Sequence, residues 1–267
     1  MAHVAGHFGE WLQGLAGADG VVVLVTLACP ERGVRALWQD APELNLVQNA
    51  ALLDVARARS FLAALGLPAR GAITLQAELP PGGGAGMSTA ALVALARAAD
   101  ADEGRIARAC LAVEGASDPL MLPAPDQALW SSRQARVLAA MPPPPEAEIL
   151  GGFLGPMERT NASDTRFPAV DDLVAEWASG PELAQAACIA SRSAARTTAL
   201  RGPARDPTPT LARRLGALGW ARAHTGPARA LIFPPGSVPH GAARVLEEAG
   251  FAGVFRFRTG VRGTVRA

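Results

Sequence analysis

The chain has 267 residues, nearly half of them apolar and 18% charged, which is the composition of a globular protein able to bury a substantial core. Its formal charge of +1 leaves no footprint for nucleic acid or an anionic membrane. All 25 basic residues are arginine, and the missing lysine excludes a P-loop lysine, a Schiff-base lysine and a protein-kinase ATP lysine together.

The opening Met1 to Gly14 ends in GHFGEWLQG, where glycines bracket two polar side chains, Glu10 and Gln13. On its own the segment reads as a turn with Trp11 and Leu12 packing inward. It has no basic region followed by an apolar core, and no window of the chain reaches about eighteen uninterrupted apolar residues, so neither secretion nor membrane spanning is expected. Cys29, Cys110 and Cys188 lie far apart with no CxxC pair, which disfavours a disulfide framework or zinc site and fits a reduced cytoplasm.

Val21 to Ala28 is a β-branched run that reads as a central strand, and Gly33 to Trp38 reads as a second. Asn49 to Leu65 has helical spacing and stops at Gly66-Leu67-Pro68. Ile73, Leu75 and Ala77 then alternate with polar residues as in a half-buried strand, which Pro80 and Pro81 end. Gly82, Gly83, Gly84 and Gly86 free the backbone to turn, and Ser88 reads as the N-cap of a helix over Ala90 to Ala99. Strand, glycine loop and helix N-terminus together aim unpaired N–H groups at one point, which suits a phosphate. The loop is not a Walker A loop, because Met87 stands where the lysine belongs, and its glycine spacing does not fit a dinucleotide fingerprint.

A helix over Glu103 to Val113 leads into Glu114-Gly115-Ala116-Ser117-Asp118-Pro119. Ala128 to Met141 contains a strand, and Pro142 to Pro145 is an extended segment taken as a domain boundary. Beyond it the periodicity gives a strand (148–154), two helices within 170–200, a helix (211–218), strands at 220–224 and 228–233, a helix (238–249) and a strand (253–257). That order is the signature of a split βαβ or ferredoxin-like unit.

The stretch Pro80-Pro81-Gly82-Gly83-Gly84-Ala85-Gly86-Met87-Ser88-Thr89-Ala90 resembles the second motif of the GHMP small-molecule kinases, named for galactokinase, homoserine kinase, mevalonate kinase and phosphomevalonate kinase. The resemblance implies a two-domain α+β fold, with an N-terminal nucleotide-binding α/β domain over 1–145 and a C-terminal ferredoxin-like domain over 146–267. It implies phosphorylation of a hydroxyl with ATP and Mg²⁺ as cofactors. Pro81, Gly82, Gly83, Gly84, Ala85, Gly86, Met87, Ser88 and Thr89 would wrap the nucleotide phosphates, Ser88 and Glu114 would hold Mg²⁺, and Ser88, Glu114 and Asp118 would carry catalysis.

GEWLQG is similar to the first motif of a subgroup that includes the L-threonine kinase of cobalamin synthesis and propanediol utilisation, which puts Glu10 and Gln13 near the acceptor. GGFLGPMERTNASDT extends that likeness to Asp164 and Thr165, and the hairpin ARAHTGPARALIF resembles a degenerate third motif that brings Thr225 and Gly226 to the phosphate loop. The expected acceptor is therefore L-threonine, with L-homoserine second. Such an acceptor needs a cation for its carboxylate, for which Arg192 or Arg196 are candidates, and a carboxylate for its ammonium, for which Glu10 or Asp118 are. The chain departs from the subgroup where a lysine has become glycine, a serine Met87 and an aspartate Ala91. These losses keep a catalytically weakened nucleotide-binding relic with a regulatory role as the alternative.

Overall fold

The computed structural model describes residues 1–260. The opening segment is not a turn: β1 (Ala2–Ala16) is a long strand paired antiparallel with β2 (Val21–Gln39). The two strands expected within β2 are one. Its Pro30 falls where the register with β1 jumps between Gly6↔Cys29 and Ala5↔Gly33, so Pro30 sits in a bulge that needs no N–H from it.

A short strand, β3 (Leu44–Gln48), runs parallel to β4 (Gly71–Ala77), and the helix α1 (Val55–Leu65) makes the crossover, capped by Asp54 and stopped by Gly66 in the left-handed conformation. The strand expected in Ala128 to Met141 is a hairpin of β5 (Ala128–Ser131) and β6 (Arg136–Ala140). The first sheet has the order β3-β4-β2-β5-β6, with β1 also paired to β2. Behind it lie α2 (Met87–Ala98) and α3 (Glu103–Glu114). Nine of the 12 residues of α2 are buried, so it is a core helix covered on all sides rather than an amphipathic one.

The rest of the described chain is β7 (Ala147–Phe153), α4 (Asp171–Ala178), α5 (Leu183–Arg201), α6 (Thr208–Arg214), β8 (Gly219–Arg222), β9 (Ala228–Phe233), α7 (Ala242–Glu248) and β10 (Ala252–Thr259). Its sheet has the order β10-β7-β9-β8 with every neighbour antiparallel. β1 ties this sheet to the first. The ring of Phe8 lies 5.1 Å from Phe153, 5.1 Å from Phe255 and 5.8 Å from Phe257, and Trp11 lies 5.3 Å from Trp177 on α4. One apolar cluster consequently runs through both sheets, while a smaller one lies beneath α6 and α7. No described helix is long and apolar enough to cross a membrane.

Candidate active site

The glycine loop lies where the first sheet meets the second. α2 starts at Met87 with Gly86 as its flanking residue, so Ser88 is not the cap expected of it but an exposed residue of the first turn. Gly86 is left-handed (φ 71°), and a Cβ there would strike the ring of His7. Gly84 is also left-handed (φ 76°), and a Cβ there would strike Ala223 and the carbonyl of Thr225. No side chain caps α2, and among the described residues the N–H groups of Gly84, Ala85 and Gly86 have no acceptor. Three loop donors without acceptors therefore lead straight into an open helix N-terminus, an arrangement suited to anionic oxygen.

Two carboxylates flank that point. Glu114 ends α3, which Gly115 stops in the left-handed conformation, and its Oε1 accepts from the Ser88 hydroxyl and from Arg57. Burial raises the Glu114 pKa, and the contacts with Ser88 and Arg57 only partly offset it. Asp118 lies beside the next residue of the same turn of α2: its Oδ2 is 3.4 Å from Thr89 Oγ1, and its own N–H meets that oxygen at 3.3 Å. Asp118 is also 3.3 Å from His7 Nε2, and His7 Nδ1 is 3.3 Å from Glu10 Oε1.

In this triad His7 and Glu10 are buried and Asp118 is partly exposed; desolvation alone would lower the His7 pKa, but Glu10 and Asp118 overcome it and raise it to about 9. Burial raises Glu10 to about 8, and His7 holds Asp118 below its ordinary range despite desolvation. At neutral pH the triad is a protonated Glu10, an imidazolium and an ionised Asp118.

The spacing His7, Glu10, Gln13 is three, whereas a regular strand alternates in twos. Register shifts between His7 and Glu10 and between Glu10 and Leu12 remove the conflict and put all three on the cleft, while Phe8, Trp11 and Leu12 enter the core. Gly9, left-handed at φ 77°, makes the first bulge. The strand period therefore hides His7 from a sequence reading.

The remaining wall comes from the segment between β7 and α4 and from the end of β8. That segment crosses the cleft as a strap: Glu158 N–H donates to Gly82 O at 2.9 Å, Arg159 to Ala51 O at 3.1 Å, and Arg133 to the carbonyls of Asn161 and Asp164 at 3.2 and 3.4 Å. The Asp164 carboxylate pairs with Arg201, which also donates to His224 Nε2 at 2.5 Å. The His224 ring stacks on Phe167 at 3.8 Å with 5° between planes.

The resulting cleft has a volume of about 390 Å³. Of the residues expected at a site, Glu10, Gln13, Pro81, Gly82, Gly84, Ala85, Gly86, Met87, Ser88, Thr89, Glu114, Asp118, Asp164 and Thr225 line it. Gly83 lies beneath the loop, where a Cβ would meet Phe153 at 2.7 Å, and Gly226 supports the loop from behind, 2.7 Å from Gly82 O by the same measure. Thr165 is exposed and does not line the cleft. Arg192 and Arg196 are placed elsewhere: on α5 they pair with Asp172 and Glu176 of α4, and those partners hold them outside the cleft. Besides His7, the cations that line it among the described residues are Arg57, Arg133 and Arg159, of which Arg159 alone falls within a motif patch, GGFLGPMERTNASDT.

Ser88 and Glu114 offer two hard oxygen donors side by side, which suits Mg²⁺ completed by phosphate oxygens and water. No group of three or more His, Cys, Asp or Glu side chains among the described residues forms an all-protein metal cage.

No family profile matches the chain, and no curated protein matches it in sequence. Its fold is nevertheless that of solved small-molecule kinases. The mevalonate kinase of L. major in complex with R-mevalonate superposes with a TM-score of 0.63 at 11% identity, covering 97% of this chain and 94% of that one. The homoserine kinase of Cytophaga hutchinsonii gives 0.57 at 15% identity over 97% and 94%, and the galactokinase of Lactococcus lactis with galactose 0.59 at 10% over 96% and 92%. These neighbours are GHMP-type kinases, and at such identities they establish the architecture.

Proposed function

We propose that the chain is an ATP- and Mg²⁺-dependent kinase of the cytoplasm that phosphorylates the side-chain hydroxyl of a small amino acid, L-threonine first and L-homoserine second. The observation that carries this reading is the meeting of Ser88 and Glu114 at an uncapped helix N-terminus beside three unpaired loop N–H groups. In the same reading the order β10-β7-β9-β8 is a ferredoxin-like C-terminal unit, and the chain divides into 1–145 and 146–267 at the proline segment.

The loop N–H groups receive nucleotide phosphate oxygens, and Ser88 and Glu114 are the residues that would hold Mg²⁺. When bound, the ion neutralises charge on the phosphates. The acceptor hydroxyl oxygen forms its bond to the γ-phosphorus as the bond to the bridging oxygen of ADP breaks. Its proton leaves late for Asp118 Oδ2, so ionisation of that carboxylate matters more than strong basicity. His7 keeps Asp118 ionised and adds positive charge next to the transferring group. Among the described residues Glu10 Oε2 is buried without a partner; an ammonium there would supply one and would draw the Glu10 pKa, about 8 beside His7, back down.

The loss of subgroup residues does not strip the cleft of its polar set. Met87 is buried, close enough to Gly6 that a Cβ there would meet its Cε at 2.5 Å, and Ala91 lies in the core. Ser88, Thr89, Glu114 and Asp118 all remain at the cleft, which favours a working enzyme over a relic. Calorimetric titration with ATP, with and without Mg²⁺, together with ADP release over L-threonine, L-homoserine, mevalonate and galactose, tests the reading. Mg²⁺-dependent binding and turnover of L-threonine are expected. Metal-independent binding, or turnover of a sugar or mevalonate with none of threonine, would overturn it.

A further inference from the structure

We infer that the wall of the cleft around Asp164 is a subsite for the acceptor's carboxylate, bound by Arg133 Nη1 and His224 Nδ1. The inference rests on the kinase reading above and narrows its substrate class to hydroxy acids. Two buried donors without acceptors carry it. Arg133 lines the cleft with its guanidinium held through Nη2 by the carbonyls of Asn161 and Asp164, yet its Nη1 is shut from solvent with no partner among the described residues. His224 also lines the cleft, and its Nδ1 is likewise buried and unpartnered among the described residues.

The tautomer follows from the neighbours. Arg201 can only donate, so His224 Nε2 accepts and the ring proton resides on Nδ1. Burial and the adjacent Arg201 push the His224 pKa down to about 3, so the ring is a neutral donor across the physiological range. Stacking on Phe167 fixes its plane. Both residues bracket Asp164: Arg133 binds its main-chain carbonyl, and His224 Nε2 lies 3.6 Å from its carboxylate.

Charge points the same way. Arg201 pairs with Asp164, and Arg229 with Asp206 at 2.8 Å. Arg133 and Arg222 have no carboxylate partner among the described residues, and burial with the nearby Arg229 pushes Arg222 down to about 10. Four guanidiniums, with the exposed Arg166 at 3.9 Å from Asp164 as a fifth, thus face two carboxylates in one part-buried region. Such a surplus is unfavourable until an anion enters. A carboxylate has two oxygens for two fixed donors, whereas the neutral hydroxyls of a sugar would leave the charge unmatched.

The test uses the full chain and measures KM and kcat by ADP release for L-threonine and for L-threoninol, which keeps the hydroxyl and ammonium but lacks the carboxylate. Arg133→Met is expected to raise KM for L-threonine by about tenfold to a hundredfold, the usual loss for a charged hydrogen bond, with kcat little changed. Arg133→Lys should recover part of that loss, since it keeps the charge without the fork. His224→Phe keeps the stack and should raise KM in the same direction. L-Threoninol should be poor for wild type and Arg133→Met alike. Unchanged KM for L-threonine in both Arg133→Met and His224→Phe, or a wild-type preference for L-threoninol, would overturn the subsite.

Failure of the kinase reading looks different: no Mg²⁺-dependent ATP binding and no ADP release with any acceptor. In that event direct titration of L-threonine still decides the matter. Binding that Arg133→Met weakens by tenfold or more supports the subsite, and absence of binding to wild type sinks it.

Discussion

Glu114 is shared between Ser88 and Arg57, so its carboxylate has a fixed place but its charge is partly offset. Glu114→Gln keeps the shape and removes the charge, and turnover should fall by a factor on the order of a hundred or more in an ADP-release assay. A smaller loss than tenfold would mean that the metal ligand lies elsewhere. His7 offers a second check at the same scale. Because its neighbours hold it as an imidazolium to about pH 9, kcat should be flat through neutrality and fall as the pH passes 9, and His7→Gln should abolish that upper limb. The motif patches pointed to Glu10, Gln13, Ser88, Glu114 and Asp118, and the structure brings all five to one cleft. His7 was not singled out, because two bulges in β1 place it on the cleft against the strand period. Arg133 carried no motif signal, and His224, although within the hairpin ARAHTGPARALIF, was not singled out, since the role inferred for both depends on neighbours distant in the chain, Asp164 and Arg201.

At the scale of elements, the glycine loop is held by what lies behind it. The β8–β9 turn abuts Gly82 to Gly84, and Ala228 N–H donates to Gly83 O at 2.9 Å. Gly84→Ala would place a methyl against Ala223 and Thr225 at a left-handed position, forcing loop and turn apart. Loss of detectable ATP binding in titration, with the far-UV circular dichroism unchanged, is the expected result. Ala91→Asp, which restores the subgroup carboxylate, would bury a charge in α2 instead of delivering it to the cleft, because Ala91 is a core residue. Its thermal midpoint should drop, by a cost of roughly 3–5 kcal/mol, without any gain in rate. Periodicity located nearly all the helices and strands of the second half and the strand–loop–helix around Ile73 to Asp100. It read the bulged β1 as a turn, split β2 at Pro30, merged β5 and β6 and missed β3, because bulges, a proline that one of them absorbs and five-residue edge strands leave no periodic trace.

For the whole molecule, the triad links stability to pH. The native state holds protons that the unfolded chain releases: Glu10 between its ordinary 4.5 and about 8, and His7 between 6.5 and about 9. Stability from both is therefore present at mildly acidic pH and lost as pH rises through those windows. Asp118 acts in the opposite sense, its contribution being present above 3.8 and lost as the pH falls below it. Thermal melts should show the highest midpoint near pH 4 to 5 for this triad, a steady decline towards pH 9, and a flatter profile in a His7→Gln, Glu10→Gln double variant. Since Phe8 and Trp11 lock β1 into the second sheet's core, each melt should show one transition with no separate unfolding of either half.

The strap over the cleft has one more consequence. Its residues 155–163 are exposed along their whole length, and its hold on the cleft is a few hydrogen bonds, from Glu158 to Gly82, Arg159 to Ala51 and Arg133 to Asn161. In the proposed kinase, reactants that leave beneath it do so as those bonds part and the exposed chain swings through solvent. Friction with the medium is then expected to set the pace of turnover. In rising sucrose, kcat should fall in proportion to relative viscosity, and cutting one tether with Arg159→Ala should make the cycle indifferent to how thick the solution is.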